Sequence, residues 1–139
     1  MARRRSSAPE RLRRSADIQA TFAHGRRWQA RLAVAVVRRR EAGAPRLAVL
    51  AGRRLGKATV RNRAKRRLRE VCRGLWRRVC TPADIVILAR AGADEAPLAQ
   101  VSRSVESVLR RAGVLDEAAS ADAAGLRRSG GLASRADTE

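Results

Sequence analysis

Residues 60–79 repeat their apolar side chains at helical spacing, and this repeat constrains the fold more than any other feature of the sequence. The apolar positions cover an arc of roughly 120° on a helical wheel. They are Val60, Ala64, Leu68, Val71, Cys72, Leu75 and Val79. A helix with such an arc needs a partner surface, and the face of a sheet is wide enough to cover it. The segment therefore predicts a long helix packed on a sheet and ended by Thr81-Pro82.

Two further regions supply strands for that sheet. Residues 84–90 form an almost continuous apolar run, which is typical of a strand buried on both faces, so we expect it at or next to the centre of the sheet. Residues 32–37 alternate instead, and the turn-rich stretch 41–45 separates them from residues 46–51. This pattern predicts a β-hairpin, followed by a short further strand within residues 52–57.

Shorter helices and unpatterned ends complete the chain. Ser15 is typical of an N-cap and Gly25 of a left-handed helix end, which predicts a first helix between them. Pro97 opens a last helix. The 139 residues suit one domain, which we place at residues 15–115. Before it, residues 1–14 predict a flexible basic arm; after it, residues 116–139 predict a disordered tail of Ala, Ser, Gly and Asp.

The charge of the chain indicates an anionic partner. Lysine and arginine number 32 against 13 acidic residues, a formal charge of +19. Nucleic acid is the commonest partner of such a protein, because each phosphate that is neutralised releases a counterion. No apolar run approaches the roughly 18 residues of a membrane-spanning helix, and no secretory signal is recognisable. We expect a soluble cytoplasmic protein without a membrane partner or an obligate protein partner.

The positive charge is concentrated between residues 53 and 78, where Glu70 is the only acid. On a helical wheel one side of the long helix, opposite the apolar arc, carries Asn62, Arg66, Arg69, Arg73 and Arg77. Arginine can grip a phosphate with two parallel hydrogen bonds, which lysine cannot. Free backbone N–H groups near Thr59 add a second device for anions at the start of the helix. One face of this helix is predicted to pack and the other to bind.

Groups for catalysis are scarce. Within residues 18–83 the only acids are Glu41, in the predicted hairpin turn, and Glu70, which we interpret as a partner of neighbouring helix arginines. His24 has no carboxylate near it in sequence, and we interpret it as a partly exposed polar residue. Neither a metal-dependent nor an acid-base nuclease site can be assembled from these residues. We therefore predict no catalytic or metal-binding residue in this chain.

Cys72 and Cys80 lie eight residues apart in what the pattern predicts as one helix. Their Cα atoms would be about 12 Å apart at the helical rise, which is too far for a disulfide. Cys72 is interpreted as an apolar filler in a reducing compartment.

The segment that opens the long helix resembles a known family. Residues 56–70, Gly-Lys-Ala-Thr-Val-Arg-Asn-Arg-Ala-Lys-Arg-Arg-Leu-Arg-Glu, are similar to the signature of the bacterial ribonuclease P protein component, and the flanking elements agree from about residue 11 to 115. The resemblance implies an α+β two-layer sandwich with the order α-β-β-β-α-β-α. Its four-stranded sheet would contain a left-handed βαβ crossover, as in the second domain of ribosomal protein S5.

The resemblance also implies a function in tRNA maturation. The catalytic RNA subunit, with Mg²⁺, would hydrolyse the phosphodiester bond that releases the 5′ leader of precursor tRNA, while the protein binds that RNA and the leader and holds no cofactor alone. The residues carried over as RNA contacts are Arg53, Arg54, Lys57, Arg61, Asn62, Arg63, Lys65, Arg66 and Arg67, and Arg69 and Arg73 extend the same helix surface. A cleft for the leader would be lined by Ile18, Phe22, Arg31 and Val36.

One departure from the family and three rival functions qualify this interpretation. Relatives commonly carry aromatic residues where this chain has Ile18, Ala33 and Val36, so we expect leader binding to rely on arginine and to depend steeply on salt. Phe22 suits a core position as well as an exposed stacking position. The rivals are a structural RNA-binding protein such as a ribosomal protein, a DNA-compacting protein, and a nuclease that acts without RNA.

Overall fold

The computed structural model describes residues 9–116. The helices and strands in chain order are β1 (Glu10–Arg11), α1 (Ser15–His24), β2 (Arg26–Gln29), β3 (Ala33–Arg39), β4 (Arg46–Leu50), α2 (Ala58–Leu75), β5 (Ala83–Ala89) and α3 (Leu98–Arg111). This is the predicted α+β class, with the three predicted helices. Most of the predicted arm and nearly all of the predicted tail, residues 1–8 and 117–139, lie outside the described residues.

The sheet has the strand order β1-β4-β5-β3-β2, so the apolar strand β5 lies at its centre, as predicted. β5 is parallel to β4, to which α2 connects it, and antiparallel to β3. The sheet has five strands where four were expected. The additional strand is β1, which pairs in parallel with the start of β4, and Leu12 N–H then donates to the Leu47 carbonyl at 2.9 Å. Residues 10–12 therefore belong to the sheet, although they fall within the predicted flexible arm.

The predicted hairpin between residues 32–37 and 46–51 is wrong. β5 separates β3 from β4, and the antiparallel partner of β3 on its other side is β2. Asp84 of β5 lies in register with Arg38 of β3 and with Arg46 of β4. Its carboxylate therefore forms ion pairs with an arginine of each neighbouring strand. The further strand expected within residues 52–57 is also wrong, because that segment contains a 3-10 turn at Arg53–Leu55.

Helices cover both faces of the sheet. α2 and α3 pack on one face, where the main core includes Leu68, Trp76, Ile85, Ile87 and Leu109, all nearly or fully buried. α1 crosses β3 and β5 on the other face. There it lies over a smaller apolar cluster formed by Leu12, Val34, Val36, Ala48 and Val86. The side chains of the central strand β5 therefore enter both cores, which explains its unbroken apolar run.

The end of α1 has a different cause from the one predicted. Gly25 has φ −83°, so it does not adopt the left-handed conformation. Its lack of a side chain matters for close packing instead, because a Cβ atom there would lie 2.5 Å from the Thr21 carbonyl oxygen and 2.8 Å from that of Val37. The N-cap of α1 is Arg14 rather than Ser15. No helix within residues 9–116 is long and apolar enough to cross a membrane.

Candidate RNA-binding surface

α2 separates its apolar and basic residues as the sequence predicts. The buried residues are Ala64, Leu68, Val71, Cys72 and Leu75. The opposite side is solvent-exposed, and we call it the α2 arginine face: Asn62, Arg66, Arg69 and Arg73, continued by Arg77 in the 3-10 turn that follows the helix. Within residues 9–116, no carboxylate forms an ion pair with Arg66, Arg69 or Arg73. These three arginines therefore present positive charge that residues 9–116 do not neutralise.

The start of α2 adds further positive groups. The N-cap position is Lys57, no side chain caps the helix, and the first turn contains no acid. The first backbone N–H groups of a helix have no intrahelical acceptor, and because no side chain caps them here they favour an anion. Gly56, with φ +125°, supplies the turn that leads into this end. The exposed basic residues around it are Arg53, Arg54, Lys57 and Arg63.

Two arginines of the predicted contact set are used partly or wholly inside the fold. Arg67 donates from Nη1 to the Asp94 carbonyl at 3.1 Å and from Nη2 to the Ala96 carbonyl, and so ties α2 to the loop before α3. Arg61 is half-buried and donates from Nε to the Gly56 carbonyl at 3.2 Å. Lys65 is also half-buried. The structure therefore divides the predicted set into outward cations and cations that support the surface.

Two interpretations of single residues in this region have different outcomes. The expected pairing of Glu70 with helix arginines is wrong, since Glu70 is exposed and forms no ion pair among residues 9–116. Cys72 is fully buried, and burial raises the pKa of its thiol to about 12, as suits an apolar filler. Cys80 lies beyond the end of α2 and is exposed, and both cysteines are free.

The predicted leader-cleft residues are only partly brought together. Ile18 of α1 is half-buried against the smaller apolar cluster, which contains Val36. Phe22 lies one turn later on α1 and is 37% exposed, so it is not a core residue. Arg31 is exposed in the turn between β2 and β3, close to the end of the sheet where Ala33 faces Ala89. Val36 is only 1% exposed and is therefore a core residue, so its predicted place in the cleft lining is wrong; Ile18, Phe22 and Arg31 remain accessible.

A fully buried carboxylate at the opposite end of the sheet gathers three arginines. Arg46 holds Asp84 with two bonds, from Nε to Oδ1 at 2.8 Å and from Nη2 to Oδ2 at 2.9 Å. Arg38 and Arg40 approach the same carboxylate to 3.3 and 3.1 Å, and Arg46 also reaches Asp17 of α1 at 3.6 Å. Burial alone would raise the pKa of Asp84, but these arginines outweigh it and lower the pKa. The Asp84 bond likewise raises the pKa of Arg46.

A pocket of about 350 Å³, which we call the edge pocket, opens beside β4 where β1 ends. Its arginines come from two places, Arg11 and Arg13 beside β1, and Arg69 and Arg73 on α2. Arg11 and Arg13 are absent from the predicted binding residues, because the sequence pattern placed them in the flexible arm. Leu12, a lone large apolar residue among arginines and 4% exposed in the structure, was the available signal that this segment packs on the sheet.

The described residues offer no cluster of acceptors for a metal. Within residues 9–116 no group of three or more His, Cys, Asp or Glu side chains is placed to hold a metal ion. His24 is exposed at the end of α1, as predicted. The chemistry of the surface is therefore that of arginine and backbone donors, which bind phosphate.

Known proteins match the chain over most of its length. Residues 7–113 match the family model described as Ribonuclease P. The ribonuclease P protein component of Symbiobacterium thermophilum is 46% identical over 106 residues, which cover 76% of this chain and 92% of that protein. A Staphylococcus aureus RNase P protein structure solved at 2.0 Å has a TM-score of 0.67 and 29% identity, over 76% of this chain and 97% of the other. The structure of the Thermotoga maritima RNase P protein has a TM-score of 0.65 and 29% identity, over 73% of this chain and 96% of the other.

Proposed function

This chain belongs to the ribonuclease P protein family, and we propose that it binds both the catalytic RNA subunit of that particle and the 5′ leader of precursor tRNA. The family places the chain in a ribonucleoprotein endonuclease that processes tRNA. Within that particle the polypeptide acts by binding and positioning RNA, and hydrolysis of the phosphodiester bond belongs to the RNA subunit.

The observation that carries the proposal is the opposition of the two sides of α2. Its buried side is fixed to the sheet through Leu68 and Cys72, so the helix cannot rotate, and its other side holds Arg66, Arg69 and Arg73 towards solvent. Residues three and four apart on a helix lie above one another, and these arginines therefore form a line that can follow a run of phosphates. The uncapped start of α2 adds backbone donors at one end of the same line.

The leader is proposed to lie across the opposite face of the sheet, beside α1. Half-buried Ile18 provides an apolar contact, exposed Phe22 stacks on a base, and exposed Arg31 meets a phosphate at the far end of the sheet, while buried Val36 lies in the core and makes no contact with the leader. A base on an aromatic ring contributes about 1–3 kcal/mol, and this chain offers one such ring where several would give more. Leader affinity is therefore expected to depend strongly on arginine and on salt concentration.

Mg²⁺ is assigned to the RNA subunit in this proposal. The protein surface that meets the RNA is strongly positive, and a positive surface attracts phosphate and repels metal cations. By neutralising phosphates near the metal-binding RNA, the protein lowers the Mg²⁺ concentration that the particle needs. We place this activity in the cytoplasm, where precursor tRNA is made.

The test is reconstitution of the full-length chain with the catalytic RNA of ribonuclease P. At low Mg²⁺ the chain should accelerate removal of the leader from precursor tRNA, and should bind precursor tRNA more tightly than mature tRNA when joined to the RNA. A triple variant, Arg66→Ala with Arg69→Ala and Arg73→Ala, should lose most of the acceleration while remaining folded.

The matched control is Arg103→Ala, which removes an exposed arginine from α3, outside the proposed surface. This variant should accelerate cleavage as the unmodified chain does. No acceleration by the unmodified chain would favour a structural RNA-binding protein instead. Cleavage of precursor tRNA by the polypeptide without RNA would mean that the protein itself is the nuclease. Equal affinity for precursor and mature tRNA at every salt concentration would remove the leader cleft.

A further inference from the structure

We propose that the edge pocket holds the base of one unpaired RNA nucleotide, read by the open backbone edge of β4. The inference rests on the proposed RNA-binding function and goes beyond it, because it assigns recognition of a base edge by hydrogen bonds to the pocket between the α2 arginine face and the α1 side of the sheet. The pocket volume of about 350 Å³ is at the lower end of the range for small-molecule sites, and suits a single nucleotide.

The backbone of β4 provides the hydrogen-bonding groups. Leu12 N–H donates to the Leu47 carbonyl, so Leu47 directs its backbone groups to the outer edge of the sheet. Backbone groups two residues apart on a strand point to the same edge, which places the N–H and carbonyl of Val49 on the outer edge as well. Pairing with β1 has ended there, and within residues 9–116 the N-terminal segment makes no backbone bond to Val49. A neighbouring donor and acceptor in this arrangement match the edge of a base.

The walls of the pocket suit the rest of a nucleotide. Aliphatic side chains, among them Ile18 and Leu50, lie against one side of the space and can contact the flat face of a base. Arg11 and Arg13 of the N-terminal segment and Arg69 and Arg73 of α2 also line the pocket. No acidic side chain lines the pocket. A pocket lined by four arginines and several aliphatic residues is complementary to a base with its flanking phosphates.

The charge distinguishes this occupant from an added peptide strand. A peptide could pair with the same edge of β4, but it would place few negative charges near four arginines, whereas each nucleotide brings a phosphate. Unpaired nucleotides are also the form in which proteins read RNA sequence, because their base edges are free. The pocket lies between the α2 arginine face and the α1 side of the sheet, since Arg69 and Arg73 line it together with Ile18. An RNA strand that contacts both the α2 arginine face and the α1 side of the sheet would pass this pocket.

The experiment maps the nucleotide by photocrosslinking in the reconstituted particle. An azidophenacyl group is attached to a Pro9→Cys variant, since Pro9 lines the pocket. Exposed Cys80 is replaced by Ser, and Cys72 is buried and does not react. An Arg103→Cys variant with the same group is the matched control, because its side chain is exposed on α3 outside the pocket. We expect position 9, and not position 103, to crosslink mainly to one unpaired nucleotide.

The base of that nucleotide is then removed from the RNA. Loss of two hydrogen bonds should weaken protein binding about tenfold, whereas an abasic site at the adjacent unpaired nucleotide should change affinity less than about twofold. Crosslinks confined to paired helices, crosslinks to a peptide segment of this chain, or an abasic site without effect would overturn the proposal. If cleavage is still accelerated in those cases, the RNA-binding function stands and the pocket assignment alone fails. Absence of RNA binding altogether would overturn both.

Discussion

The arginines at one end of the sheet and the arginines on α2 differ in what faces them. Arg38 and Arg46 lie in register with Asp84, and both they and Arg40 form ion pairs with its buried carboxylate. Arg66, Arg69 and Arg73 of the α2 arginine face form no ion pair with a carboxylate within residues 9–116. The same side chain therefore joins strands in one region and remains available for phosphate in the other. Arginine content alone says little; the position of the few acids decides which arginines bind.

The largest expected effect is on the sheet end. Asp84→Asn leaves three guanidinium groups close together around a buried site that no longer carries negative charge. Removal of one partner from a buried charge cluster typically costs about 3–5 kcal/mol of folding free energy. Urea or thermal unfolding measures it, with exposed Glu70→Gln as the control that should change stability by less than about 0.5 kcal/mol. An Asp84→Asn protein as stable as the control would show that the cluster does not hold the strands together.

The next effect is on RNA affinity. The triple variant Arg66→Ala, Arg69→Ala and Arg73→Ala should bind the catalytic RNA about a hundredfold more weakly at 0.1 M salt, because three phosphate contacts and their released counterions are lost. Its unfolding free energy should stay within about 1 kcal/mol of the unmodified chain, since all three side chains are exposed. Filter binding and urea unfolding provide the two readouts. If the triple variant loses much stability but keeps its RNA affinity, the α2 arginines support the fold and do not bind RNA, which contradicts the proposed division.

Arg67 sharpens the contrast within α2 itself. Arg67→Ala removes the bonds to the Asp94 and Ala96 carbonyls and should destabilise the chain by about 1–2 kcal/mol. Its neighbour Arg66 is exposed, and Arg66→Ala should instead weaken RNA binding with little change in stability. Measurement of both quantities on both variants tests the division. If the two variants behave alike, burial and hydrogen bonding do not separate supporting from binding arginines.

The smallest effect is on acid stability. The arginines lower the pKa of Asp84 in the folded chain, so its ionised form is favoured by folding. The resulting stability is present above the ordinary aspartate pKa of about 4 and is lost as pH falls through the lower folded value. The stability gap between the unmodified chain and Asp84→Asn should therefore be constant near neutral pH and narrow below about pH 4. A gap that widens on acidification would contradict the direction of this shift.

Periodicity predicted the elements of the fold better than their pairing. The apolar arc of α2 and the unbroken apolar run of β5 depend on each residue's own neighbours, and both elements were predicted from the sequence. The predicted end of the long helix at Thr81-Pro82 is wrong, because α2 ends at Leu75 and a 3-10 turn follows it. The error over the partners of β3 and β4 has another origin. A short turn-rich connection favours a hairpin locally, but β5 inserts between the two strands, where its side chains enter both cores and Asp84 meets Arg38 and Arg46. Such contacts between segments that are distant in sequence cannot be predicted from a local pattern of residues.

The candidate site shows the same limit. The exposed row from Asn62 to Arg77 follows directly from helical geometry, and the structure agrees with it. The roles of Arg67 and of Arg11 depend on the β5–α3 loop and on the edge of β4, which are distant in sequence. Gly25 is a further example, since a side chain at this position would collide with the backbone carbonyl of Val37, which belongs to β3. Contacts between distant segments, rather than residue type, decide these cases.

The salt dependence of RNA binding tests the central claim most directly, because it counts the phosphates that each group of arginines neutralises. The logarithm of affinity should fall linearly with the logarithm of salt concentration, and the slope should decrease by about 2–3 in the Arg66, Arg69 and Arg73 triple alanine variant. Arg40→Ala, at the Asp84 cluster, should leave the slope unchanged under conditions where it is folded. An unchanged slope in the triple variant, or an equal decrease in Arg40→Ala, would contradict the assignment of RNA binding to α2.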